Sequence, residues 1–195
     1  VKTFVLYLVV TVAYYFIFYT LYAFIAGGKK GVKAFWKNAV APTLTALATC
    51  SSAATIPVNI TATKKMGVPA DIAETTVPLG TSFHKDGTII GSMFKIMFLV
   101  CLFGTPMTTV GEILGMLGIA LVANLLVTAV PIGGGTISEM FIITMMGFPV
   151  AALPILTIIA TIIDAPATVL NAVGDDAASM LVARVIDGKE WLKDE

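Results

Sequence analysis

Charge is what this chain lacks. Of its 195 residues only 12% are charged and 57% are hydrophobic, against about 25% charged and roughly 45–50% apolar in soluble domains. Too little polar surface is left for a water-soluble fold, so the class is an integral membrane protein. Lysine plus arginine and aspartate plus glutamate balance at 12 each, and no bulk charge draws the chain to nucleic acid or an acidic substrate. Cysteine is scarce too. Cys50 and Cys101 stand in apolar surroundings without paired spacing, which argues against a disulfide or a metal site and reads them as small apolar residues. The first apolar run lacks a signal-peptide cleavage pattern and the chain opens on Val1, so a portion of a longer protein is expected.

What is present is a series of apolar runs with polar interruptions. Thr3 to Ile25 is continuously apolar and aromatic, long enough for the roughly 20 residues of a spanning helix, and a transmembrane helix is predicted over 3–26. Tyr14, Tyr15, Tyr19 and Tyr22 along it suit packing and interfacial roles. Lys29-Lys30 to Lys37 and Lys64-Lys65 read as short basic loops, expected on the cytoplasmic side. Both ends of 38–66 then lie on one side, which predicts a re-entrant hairpin with Thr49 to Pro57 as a non-helical tip. Such backbone is tolerated at depth only where protein or water satisfies it.

Residues 70–104 read as a membrane helix broken at Asp86-Gly87, followed by a turn at Gly104-Thr105-Pro106. The stretch 110–147 is apolar around Pro131-Ile132-Gly133-Gly134-Gly135 and predicts a second re-entrant hairpin. A last helix is predicted over 148–187, bent or interrupted by Pro149, Pro154 and Pro166. A hairpin followed by a polar helix, twice over, is the pattern of an inverted repeat.

Ser82-Phe83-His84-Lys85-Asp86-Gly87-Thr88 sets ionisable groups between two apolar runs. Each such group at membrane depth costs on the order of 3 kcal/mol or more and is a functional-site hypothesis. A polar loop between short helices is the plainer reading. In the last helix Asp164, Thr168, Asn171 and Asp175 are spaced to share one face. Asp164 suits an α-ammonium group, while Asn171, Thr168 and Ser52 suit a carboxylate. Asp86 and Asp175 are hard oxygen ligands for a small cation. Polar side chains also glue membrane helices together at about 0.6 kcal/mol each, with no transport involved. Two other classes share some of these features. Two aspartates on separate helices could form an intramembrane protease dyad, but Ala172-Val173-Gly174-Asp175 lacks the first glycine of Gly-x-Gly-Asp. A channel would want an unobstructed path.

Taken in order, these motifs resemble the dicarboxylate/amino-acid:cation symporter family, the glutamate-transporter fold. Thr49-Cys50-Ser51-Ser52-Ala53-Ala54-Thr55-Ile56-Pro57 is similar to the family's serine-rich first tip. Pro78-Leu79-Gly80 with Asp86-Gly87-Thr88 resembles its broken helix, Val130-Pro131-Ile132-Gly133-Gly134-Gly135 its second tip, and Asp164 through Asn171 to Asp175 its last helix. The resemblance implies an all-α membrane fold and the C-terminal transport-domain half of a symporter. It implies no enzyme activity and no catalytic residue. The substrate site would comprise Ser51, Ser52, Thr88, Gly134, Gly135, Asp164, Thr168 and Asn171, with Asp164 on the ammonium. The cation site would comprise Gly80, Ser82, His84, Lys85, Asp86, Asn171 and Asp175. No cofactor is implied, with sodium the candidate coupling ion. The expected context is a multi-pass protein of the cell membrane with a cytoplasmic C-terminus, among lipids, moving as an elevator within a homotrimer.

Three departures shape the expectation. Ala167 stands where members for acidic substrates carry arginine, so no guanidinium is there to pair bidentately with a side-chain carboxylate. A small neutral, non-dicarboxylate amino acid is therefore expected, with a dicarboxylate or other organic anion as the alternative. His84 and Lys85 replace the asparagine and methionine of the ion-binding motif. The Lys85 ammonium beside Asp86 could neutralise it, and an imidazole titrates near neutral pH, so a proton or a tethered charge could replace one sodium. The second tip is also about two residues longer than in close glutamate transporters, with Glu139 just past it.

Overall fold

A computed structural model describes residues 2–129, 134–188 and 191–192. The described residues are helical, without a strand: α1 (Lys2–Asn38), α2 (Val40–Thr49), α3 (Ser52–Lys65), α4 (Ala70–Phe83), α5 (Asp86–Phe103), α6 (Val110–Ala129), α7 (Gly134–Met146) and α8 (Leu153–Ile186), the last preceded by a 3₁₀ turn at Val150–Ala152. Among them, Lys2–Asn38, Ala70–Phe103, Val110–Val127 and Val150–Ile186 are long and apolar enough to cross a membrane.

Several local expectations change. α1 kinks at Gly27-Gly28, where Gly28 has φ +60°, a left-handed value that glycine adopts without steric cost. Residues 29–37 then continue as helix, so the expected basic loop is a helical segment. Lys64 and Lys65 likewise lie in the last turn of α3, where cations complement the negative end of the helix dipole. The first hairpin's tip is only Cys50-Ser51, not Thr49 to Pro57. Cys50 ends α2 in a left-handed conformation, φ 48°. Ser51 then caps α3, its Oγ accepting from Ala54 N at 3.2 Å, so the nucleating bond for the second arm is supplied within two residues. Pro57 sits inside α3. Both cysteines are free and exposed rather than packed.

The break in the polar helix falls at His84-Lys85, one step before the Asp86-Gly87 expected. Asp86 is instead in the first turn of α5, where its negative charge meets the unpaired amides, and His84 takes the extended backbone that ends α4. Thr109 and Glu112 open α6 with a reciprocal cap: Glu112 Oε2 accepts from Thr109 N at 2.9 Å, and Thr109 Oγ1 from Glu112 N at 3.3 Å. Pro166 does not interrupt α8, which runs on to Ile186, and Pro154 occupies its first turn, where no amide hydrogen is missed. The residues 130–133 of the expected second tip lie outside the described residues.

The chain forms two compact units, Val1–Tyr7 with Thr88–Asp164, and Leu8–Gly87 with Ala165–Glu195. In the first, α6 packs against α7, around a core that includes Ile96, Leu99, Ala120, Ile142, Ile143 and Leu156. Small residues at such positions let membrane helices approach closely, the attraction there being packing rather than water exclusion. One ion pair is buried in this unit: Lys95 Nζ lies 3.7 Å from Glu139 Oε1, and Glu139 Oε2 accepts from Thr157 Oγ1 at 2.7 Å. In the second unit α2 packs on α3 and α3 on α4, and residues 167–177 of α8 are buried on every side.

Candidate functional site

The buried stretch of α8 carries Asn171, Asp175 and Asp176, and the second unit gathers polar groups around it. His84, at the break between α4 and α5, sets one ring nitrogen toward each of two carboxylates. Its Nε2 lies 3.0 Å from Asp86 Oδ2 and its Nδ1 3.4 Å from Asp175 Oδ1. Asp86 Oδ2 also accepts from the Tyr14 hydroxyl at 2.7 Å, and Asp175 Oδ2 from Thr81 Oγ1 at 3.2 Å. The three side chains are 24%, 18% and 0% exposed. Carboxylates so desolvated need a positive or hydrogen-bonding partner, and the imidazole serves both.

Two glycines make this approach possible. A Cβ on Gly174 would collide with the His84 ring and the Tyr19 hydroxyl, and one on Gly80 with the Asp175 carboxylate. The Gly174 that looked like a remnant of a protease motif instead leaves room for the imidazole. Asn171 Oδ1 accepts from Gly87 N at 3.0 Å, tying the start of α5 to α8.

The structure thus brings together Gly80, His84, Asp86, Asn171 and Asp175 of the expected cation set. The side chain facing both carboxylates is His84, and no ion pair joins Lys85 to Asp86 among the described residues. Ser82 is half-buried near the end of α4. Of the expected substrate residues, Ser51, Ser52, Thr168 and Asn171 belong to this unit, as does Ala167, which is 7% exposed. Ser51 Oγ is engaged as the cap of α3. Thr88, Gly134, Gly135 and Asp164 belong to the first unit, where Gly134 and Gly135 open α7 and Asp164 is exposed on α8.

A second set of polar contacts escaped the reading of the sequence. Asp176, fully buried, accepts from Thr63 Oγ1 at 2.8 Å, and Asn59 Nδ2 donates to Ala172 O at 2.7 Å. The signal was there: Thr55, Asn59 and Thr63 recur every four residues in α3, a polar stripe that is buried along its whole length. Tyr19 donates to Leu170 O, and Thr76 and Ser179 share a hydroxyl hydrogen bond of 2.6 Å. These contacts fasten α1, α3 and α4 to α8.

Helices of membrane-spanning length, tightly packed helix pairs and a buried and a half-buried carboxylate at a broken helix define an all-helical, multi-pass membrane protein. The particular kind follows from comparison. The model of the sodium:dicarboxylate symporter family matches residues 1–185, and the chain belongs to that family, whose fold is that of the glutamate transporters. The human neutral amino acid transporter A is 30% identical over 142 residues, 72% of this chain and 26% of that protein. The proton/glutamate-aspartate symporter of Escherichia coli K12 is 29% identical over 143 residues, 71% of this chain and 31% of its own length. An excitatory amino acid transporter of Caenorhabditis elegans is 24% identical over 155 residues, 79% and 30%. The chain therefore spans less than a third of each of these relatives. All are transporters by name, and the protease reading is set aside.

Proposed function

We propose that the protein is a secondary active transporter that carries a small neutral amino acid with a cation gradient, and that this chain is part of its moving, elevator-type domain. The reading rests on family membership and on one observation, the His84 ring held between Asp86 and Asp175. Two buried carboxylates on a broken helix and its partner are the groups a coupling cation would need, and here a basic side chain of the protein itself faces both. In its protonated form the imidazole puts one positive charge within 3.0 Å of Asp86 and 3.4 Å of Asp175 and stands in for one positive ion. Coupling then depends on protons, or on fewer sodium ions, rather than on a full sodium complement.

Neutral substrate is supported by Ala167 and by the position of the single arginine, Arg184, in the last turn of α8. No guanidinium stands among Thr168, Asn171 and Asp175. Within the second unit, Ser52, Thr168 and Asn171 would hold the substrate's carboxylate end. The human relative's name favours a neutral substrate. The bacterial relative's name favours an acidic one, and that is the second reading. By resemblance, the full-length protein is a homotrimer of the cell membrane with the lysine-bearing ends of α1 and α3 and the C-terminus in the cytoplasm.

The test is uptake of labelled amino acids by proteoliposomes holding the full-length protein, with sodium and proton gradients imposed separately. Alanine- or serine-like substrates should accumulate under a proton gradient. Accumulation of glutamate or aspartate instead would establish the second reading, and no accumulation under either gradient would overturn both.

A further inference from the structure

We propose that the lysine-lined cavity at the ends of α1 and α3 is a binding site for the phosphate-bearing headgroup of an anionic phospholipid. It lies wholly within the second unit and has a volume of about 980 Å³, within the range of roughly 300–1,000 Å³ that holds a small ligand. Lys30, Lys33, Lys37, Lys64 and Lys65 line it, and among the described residues no carboxylate does. Lys64 is paired with Glu74, and Lys33, Lys37 and Lys65 bring three further positive charges to the space.

Part of the lining is apolar. Met66, Pro69 and Leu192 also line it, as does Trp191, whose indole is fixed by a hydrogen bond from Nε1 to Ala26 O at 2.7 Å. A free phosphate would use only the lysines, whereas a lipid offers a phosphate to them and an apolar body to the tryptophan side. The position in the chain agrees. The apolar portion of α1 stops at the Gly27-Gly28 kink, and Lys30, Lys33 and Lys37 lie on the helical segment beyond it. Lys64 and Lys65 lie in the last turn of α3. Basic clusters where apolar helices end, with an interfacial tryptophan, are placed to meet lipid headgroups.

The experiment is native mass spectrometry of the full-length protein released from nanodiscs containing equal phosphatidylglycerol and phosphatidylcholine. The wild type should retain phosphatidylglycerol preferentially. Changing Lys33, Lys37 and Lys65 together to Gln should weaken that preference about a hundredfold, one charge at a time, while the same three changed to Arg keep it. Lys29→Gln, outside the cavity lining, should leave it unchanged. If the triple Gln protein fails to fold, Lys37→Gln alone should still lower retention several-fold. Equal retention of the two lipids, or retention indifferent to the Gln changes, overturns the proposal. So does displacement of the lipid by millimolar inorganic phosphate, which would make the site one for a soluble anion.

Discussion

Replacing His84 with asparagine tests the role of the imidazole directly. The ring reaches both carboxylates, at 3.0 Å and 3.4 Å, and after His84→Asn each keeps one hydroxyl donor, Tyr14 for Asp86 and Thr81 for Asp175. Removing one partner from a buried charge pair costs about 3–5 kcal/mol. Asp86 is 18% exposed, so some water reaches the cluster and the lower end, about 3 kcal/mol, is expected. In a protein several times longer than this chain each kcal/mol moves the melting temperature by less than in a small domain, so in sodium-free buffer it should fall by roughly a few degrees. The variant also gains a carbonyl oxygen between two carboxylates, a hard-oxygen set suited to sodium. Sodium at about 100 times its dissociation constant would then return about 2.7 kcal/mol, most of the loss. Melting of the detergent-solubilised full-length protein, in sodium chloride against choline chloride, reads both effects. Wild type should be nearly indifferent to the cation and the variant sodium-stabilised. Equal sodium stabilisation of the two proteins, or a variant no less stable than wild type without sodium, would refute the idea that His84 occupies a cation's place.

Gly174→Ala should destabilise by about 1–3 kcal/mol through overpacking against the His84 ring, and adding His84→Asn should relieve part of it, as a thermal double-mutant cycle would read. Lys95→Gln leaves Glu139 buried without its partner and should cost about 3–5 kcal/mol, whereas Lys95→Met with Glu139→Leu should recover most of that loss; additive losses would argue that the two do not interact. Ala167→Arg should shift uptake from neutral toward acidic amino acids, and an unchanged substrate profile would place Ala167 away from the substrate's side chain.

The cluster was half legible. Asp86 and Asp175 stood out because a carboxylate in an apolar run has few plain explanations. That they share one imidazole did not, since positions 84, 86 and 175 are joined only by the close approach of α4 and α5 to α8 that Gly80 and Gly174 permit. Lys85 and His84 both offered a counter-charge to Asp86 in the sequence. The chain turns at His84-Lys85, however, and neighbours across a helix break point in different directions. Asp176 gains a role only from the Thr63 contact, which joins residues 113 positions apart.

The order of apolar runs and breakers determined the membrane class by itself, because that depends on segment length, on glycine and proline, and on the transfer cost of charge, all of them local, and the family was legible in the resemblance of short motifs to those of known transporters. Tertiary structure alone decided which side chain faces the two buried carboxylates, how short the first tip is, and that five lysines from two distant segments line one cavity. Each of these depends on where helices far apart in sequence come to lie, and residue order does not carry that distance.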